Sequence, residues 1–263
     1  MLPALFVSHG APTFPLTDAP ARHFLEQLGA DLPERPRAIL MVSPHWETAI
    51  PSVTDSAVNE TIHDFTGFPA ELYAIRYAAP GSAWLIDRIA ALIDAAGGAV
   101  ARIPGRGLDH GAWVPLRLIY PEADIPVVQL SVQTAKGPAY HFQLGQLLAP
   151  LREEGVLIIG SGSFTHDLSS YREYYNALNA PAPAWVDQFA DWMTTAIDEG
   201  RIDDLLAYRS RAPQALRNHP TEEHLLPLFV ALGAGGGERS EHLHASTTHG
   251  ILRMDAFAFG AGA

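Results

Sequence analysis

Three apolar segments of this chain, each about long enough to cross a sheet once, run directly or through a short turn into a histidine. Ala4-Leu-Phe-Val-Ser8 leads into His9-Gly-Ala-Pro12, and Ala38-Ile-Leu-Met-Val-Ser43 into Pro44-His45-Trp46. Gly155-Val-Leu-Ile-Ile159 passes through Gly160-Ser-Gly-Ser-Phe-Thr165 to His166. Continuous apolar runs suit strands covered on both faces by helices. In open α/β sheets the ligand crevice lies beyond the carboxyl ends of the strands, so three histidines placed there can converge on one point.

The intervening segments fit that architecture. Ala19–Leu28 has helical spacing, with Phe24 and Leu28 four residues apart and His23 on the same segment. Ser82–Ala96 sets Leu85, Ile89 and Leu92 on one face and stops at Gly97-Gly98. Gly111–Ile119, Tyr140–Leu151 and Pro183–Gly200 also read as helices, and two more are expected after Gly200. The second of these starts at Pro220, with Thr221, Glu223 and His224 as its N-cap region. Pro51–Thr54 reads as a short edge strand, Ala99–Ile103 as a strand and Ile125–Val132 as a buried strand. Glu241–Thr248 and Ile251–Phe259 form a hairpin-like pair around Gly250. The alternation predicts an α/β fold: a single catalytic domain over residues 1–263, its central mostly parallel or mixed sheet flanked by helices.

Composition excludes several classes of function. A net charge of −12 with no basic stripe argues against nucleic acid. No apolar stretch approaches the ~18 residues of a membrane span, and the N-terminal run is too short for a signal sequence, so a soluble, cytoplasmic protein is expected, monomer or homodimer. The chain has no cysteine, which removes disulfides, iron–sulfur clusters and thiolate ligands. Any metal must sit on nitrogen and oxygen.

Twelve histidines exceed the needs of one site. His23, His141, His242 and His244 lie on helix or strand patterns with no special flanking chemistry and are assigned to surface or packing. His9, His45 and His166 share their placement after strands. A lone histidine in such a position is about as often a hydrogen-bonded core residue as a functional one, but three in parallel are harder to set aside. The Ser161/Ser163 turn could offer hydroxyls or N–H groups to a bound oxygen; as a phosphate cradle it lacks both the lysine and the spacing. His224, beside Glu222 and Glu223, offers a further imidazole or carboxylate ligand. His110, after Asp109, is placed as a proton donor or acceptor. His63 stands in an aromatic loop. These residues describe a mononuclear histidine-rich metal site: two histidines and a carboxylate favour non-haem Fe(II), three or four histidines favour Zn.

The motifs Ser8–Pro12, Ser43–Trp46, Thr61-Ile-His-Asp-Phe65 with Gly67-Phe-Pro69, Leu108–Leu116, Gly160–Leu168 and Pro220–Pro227 resemble, in order, those of the class III extradiol ring-cleaving dioxygenases. The branch resembles the DOPA dioxygenases of bacteria and plants. The resemblance implies a non-haem Fe(II) enzyme, sometimes found holding Zn, that opens a catechol ring with O₂. It implies His9, His45 and His224 as metal ligands, with Glu222 or Glu223 as alternatives for the third. It implies His166 as acid/base or additional ligand and His110 as a substrate-facing histidine. His63, Trp46, Phe65 and Phe68 are the expected walls of the substrate pocket. A zinc-dependent hydrolase and a non-catalytic metal- or peptide-binding module are the alternative readings.

Overall fold

Successive residues of a strand point to opposite faces, and here both faces are apolar. On β1 (Ala4–Ser8), Ala4 and Phe6 enter one core while Leu5 and Val7 enter another. β2 (Ala38–Glu47) divides Leu40 and Val42 from Ile39 and Met41 in the same way. β3 (Ser52–Asp55), β4 (Ala101–Pro104) and β5 (Val127–Val132) follow, and β6 (Val156–Gly162) is buried at every residue. The chain closes with β7 (Ser240–His244), β8 (Thr247–Thr248), β9 (Leu252–Arg253) and β10 (Ala256–Phe259). This computed structural model describes residues 1–174, 177–236 and 240–260.

Among the described residues eight strands form one sheet in the order β4-β3-β5-β2-β6-β1-β10-β7, and β8 and β9 form a separate ribbon. β5, β2, β6 and β1 are parallel; β3 runs antiparallel to β5, and β10 antiparallel to both β1 and β7. The sheet is therefore mixed, with a parallel centre whose carboxyl ends share one edge. The helices are α1 (Pro20–Asp31), α2 (Ala70–Ala74), α3 (Ala83–Ala95), α4 (His110–Ile119), α5 (Gly137–Leu148), α6 (Leu168–Tyr174), α7 (Ala184–Asp198), α8 (Ile202–Leu206), α9 (Tyr208–Arg211), α10 (Ala215–Asn218) and α11 (Leu226–Ala234). α3, α5, α7 and α11 cover one face of the sheet, and α1 and α4 cover the other. Among the described residues no helix is long and apolar enough to cross a membrane.

Several local expectations change. β2 continues through His45 and Trp46 instead of ending at Ser43, with its pairing to β5 broken between Val42 and Glu47. β3 is not an edge strand, because β4 pairs outside it. α11 begins at Leu226, where Pro227 suits the first turn, and Thr221 is no N-cap: its hydroxyl donates to Glu223 Oε1 (2.9 Å). Three short helices, α8 to α10, stand where one was expected. The hairpin around Gly250 is present but split between the main sheet and the small ribbon.

α11 is buried along its whole length against β6, and glycine makes this possible. A β-carbon on Gly160 would overlap the Pro227 carbonyl oxygen, and one on Gly162 the His224 carbonyl oxygen. Gly160-Ser-Gly162, expected as a turn, thus belongs to β6, and its glycines serve close packing. Gly160→Ala is expected to cost at least the ~1–3 kcal/mol of an overpacked core, read as a lower urea midpoint.

His141 illustrates packing of a neutral imidazole. Its Nδ1–H donates to the Gly137 carbonyl (2.7 Å), and its Nε2 accepts from the Gln133 backbone N–H (3.1 Å). Burial pushes its pKa from 6.5 down to about 4. The folded pKa lies below the unfolded one, so above pH 6.5 the proton has no effect on stability, and below it the unfolded chain binds the proton first. Between pH 6.5 and 4 stability should fall by up to about 1.4 kcal/mol per pH unit for this group, and His141→Gln should make that slope shallower in urea titrations at stepped pH.

Candidate metal centre

The parallel strands deliver their histidines to one edge. His9 follows β1 directly; its backbone N–H donates to the Gly162 carbonyl (3.0 Å), and it is 2% exposed. Ser161 donates its hydroxyl proton to the Gly111 carbonyl (2.5 Å), so its oxygen accepts from His9 Nδ1–H (3.1 Å). That fixes the tautomer and leaves Nε2 of His9 with a free lone pair. His45 projects from β2 at the break in pairing, with Nε2 3.2 Å from His9 Nε2. His224 reaches the same point from the turn before α11: the Ser163 backbone N–H donates to its carbonyl (2.9 Å), and its Nδ1–H donates to Glu223 Oε1 (3.0 Å). One ring nitrogen from each of His9, His45 and His224 lies within 4.8 Å of the other two.

Two further imidazoles border this triad. His166 stacks on His224 with ring centroids 3.4 Å apart, held by a bond from its backbone N–H to the Asn218 carbonyl (2.8 Å). His110 opens α4, with its ring centroid 3.9 Å from that of His45. Asp64 Oδ1 accepts from both the backbone N–H (3.0 Å) and the Nδ1–H (2.9 Å) of His110. Buried Asp109 accepts from Ser43 Oγ (2.6 Å) and from the Gln129 amide, tying the start of α4 to β2 and β5. The five histidines line a cavity of about 300 Å³ together with Phe68, Leu168, Tyr171 and Leu252.

Burial keeps His9, His45, His166 and His224 neutral. Burial, then the neighbouring imidazoles, hold His9 and His224 well below the ordinary value of 6.5. Burial, and next His110, push His45 down to about 3, and burial brings His166 to about 4. Burial raises Asp64, but its bonds and charge pairing with His110 outweigh that and leave it lowered, a carboxylate. Neutral imidazoles whose Nδ1 proton has a fixed acceptor, as in His9 and His224, present Nε2 lone pairs, the form in which histidine binds a metal.

Not every expected residue reaches the cavity. Phe68 lines it, whereas His63, Phe65 and Trp46 do not. Trp46 points away because it follows His45 on a strand, and it packs against the Arg106 guanidinium at 4.3 Å. Phe65 stands behind His110 with centroids 5.7 Å apart, and His63 lies among Phe65, Tyr73 and Trp113. Glu222 turns toward Arg209 (4.0 Å), away from the triad, and Glu223 lies within 4.8 Å of His166 and His224. The Ser161 and Ser163 hydroxyls bind backbone carbonyls, of Gly111 and Thr165, so they are committed to the scaffold. Sequence reasoning overlooked Asp64, although it adjoins His63 in a motif that drew attention, because the histidine took the weight.

Residues 3–254 match the family of the catalytic LigB subunit of aromatic ring-opening dioxygenase, and the chain belongs to that family, the class III extradiol dioxygenases. It is thus a metal-dependent oxidoreductase acting on a small molecule with O₂, and the hydrolase and binding-module readings fall away. Among its relatives, a protein of Beta vulgaris named 4,5-DOPA dioxygenase extradiol is 45% identical over 97% of this chain and 95% of its own. One of the same name from Escherichia coli K12 is 39% identical over 90% of this chain and 86% of its own. The crystal structure of an uncharacterized protein from Escherichia coli K12 superposes with a TM-score of 0.79 at 33% identity, covering 99% of this chain and 100% of that one.

The Ser161 bond carries a prediction. Ser161→Ala removes the acceptor that holds His9 Nδ1–H, so metal affinity should fall about 10–100-fold in competition with a chelator while the fold persists.

Proposed function

We propose that this chain opens the ring of a catechol beside its two hydroxyls, with DOPA among its substrates, on an Fe(II) ion held by His9, His45 and His224. The observation that carries this reading is the meeting of three neutral imidazoles at the wall of a largely apolar cavity of about 300 Å³, a size suited to one aromatic ring. Three nitrogen donors suit iron and also zinc, so Zn is expected to occupy the same residues in protein isolated without added iron. When bound, Fe(II) supplies Lewis acidity toward the catechol oxygens and electrons for O₂.

The protein supplies position and protons. His166, neutral at physiological pH, takes a catechol hydroxyl proton and returns it later in the reaction. His110, with Nδ1–H committed to Asp64, offers Nε2 as a hydrogen-bonding partner for the substrate. Phe68 and Leu252 hold the ring and keep water from it. The enzyme is placed in the cytoplasm, as a monomer or homodimer, with a small catechol as its partner and neither nucleic acid nor membrane.

Anaerobic loading with Fe(II), addition of DOPA and then air should give equimolar oxygen uptake and a yellow ring-opened semialdehyde. No uptake by fully loaded protein across a panel of catechols ends this reading. His166→Gln should retain the metal and lose about 10²–10⁴ in kcat, whereas His224→Ala should lose the metal itself.

A further inference from the structure

Asp64 has two oxygens and two histidine neighbours. Oδ1 accepts from the backbone N–H and Nδ1–H of His110, at 3.0 and 2.9 Å, and Oδ2 stands 3.9 Å from Nδ1 of His45. His45 faces a further constraint on its other nitrogen. Ser161 commits the His9 proton to Nδ1, and the two Nε2 atoms stand 3.2 Å apart. A cation shared by these two nitrogens needs both lone pairs, and the His45 proton must then reside on Nδ1. The carboxylate oxygen on that side of the ring is Asp64 Oδ2.

We propose that Asp64 is a positioning residue that receives the Nδ1 protons of His110 and His45, one on each oxygen, and so turns both Nε2 atoms toward the cavity. A neutral His45 carries one ring proton, and holding it on Nδ1 leaves the Nε2 lone pair free. A carboxylate accepts at both oxygens, while an amide accepts at one and donates at the other. The amide of an Asp64→Asn variant can therefore serve one histidine but not both, although it matches the carboxylate in shape.

The inference rests on the metal reading above, and the two can fail separately. Zn(II) affinity is measured by chelator competition on the unmodified full chain and on Asp64→Asn and Asp64→Glu, with ring-nitrogen NMR of each. The unmodified Zn-loaded protein should carry the protons of His45 and His110 on Nδ1. Asp64→Asn should bind Zn(II) about 10–100-fold more weakly and lose the Nδ1–H signature of one of the two rings, with partial recovery in Asp64→Glu. A merely structural role would leave the ring-nitrogen signals unmoved. Unchanged affinity and signals in Asp64→Asn overturn the proposal, as does a His45 proton on Nε2 in the unmodified Zn-loaded protein. If Asp64→Asn does not fold, the signals of the unmodified protein decide. Failure of the unmodified protein to bind Zn(II) or Fe(II) overturns the metal reading and the His45 half together.

Discussion

The contact between the His224 backbone and the end of β6 is the constraint on which the site depends. β6 lies between β1 and β2, so its carboxyl end is flanked by His9 and His45. The Ser163 N–H bonds the His224 carbonyl, and Gly162 leaves no side chain between them. α11 follows at once and is buried throughout, which holds this turn against the sheet. A β-carbon between strand and turn would displace the His224 ring from its two partners. Close packing of backbone, more than attraction between rings, sets the distances at the centre.

Those distances are tolerable only for uncharged rings. Five imidazoles face one cavity, and each positive charge would raise the cost of the next. Burial holds His9, His45, His166 and His224 neutral, and three of the five rings donate their Nδ1 proton to a fixed acceptor. Ser161 receives it from His9, Glu223 from His224 and Asp64 from His110. The free electron pairs face inward, as a metal-dependent dioxygenase requires. The scaffold thus stores the stability cost of buried polar groups where a cation can use their lone pairs.

Legibility follows the range of the interactions. The apolar runs of β1, β2, β5 and β6 are readable because burial on both faces leaves an uninterrupted pattern. His9, His45, His110, His166 and His224 are readable as a group from their motifs. Trp46 reads as a pocket wall only if β2 ends at Ser43; strand geometry through His45 sends the two neighbours to opposite sides. Phe65 and His63 lie in the expected loop but in the layer behind the cavity. Gly160 and Gly162 read as a loop signal, and their purpose depends on a carbonyl more than sixty residues away.

Local sequence by itself determined the central strands and the longer helices, the layered α/β class, the absence of thiolate ligands and the pool of histidines available for chemistry. Motif order further determined the family. Tertiary structure alone decided which ring nitrogens face one another, where His9, His110 and His224 keep their ring protons, and that Asp64 bonds His110 while His63 lies behind the cavity. The reason is physical: hydrophobic pattern and turn chemistry act within a few residues, whereas the tautomer of a buried imidazole is set by whichever oxygen the folded chain brings within about 3 Å of it.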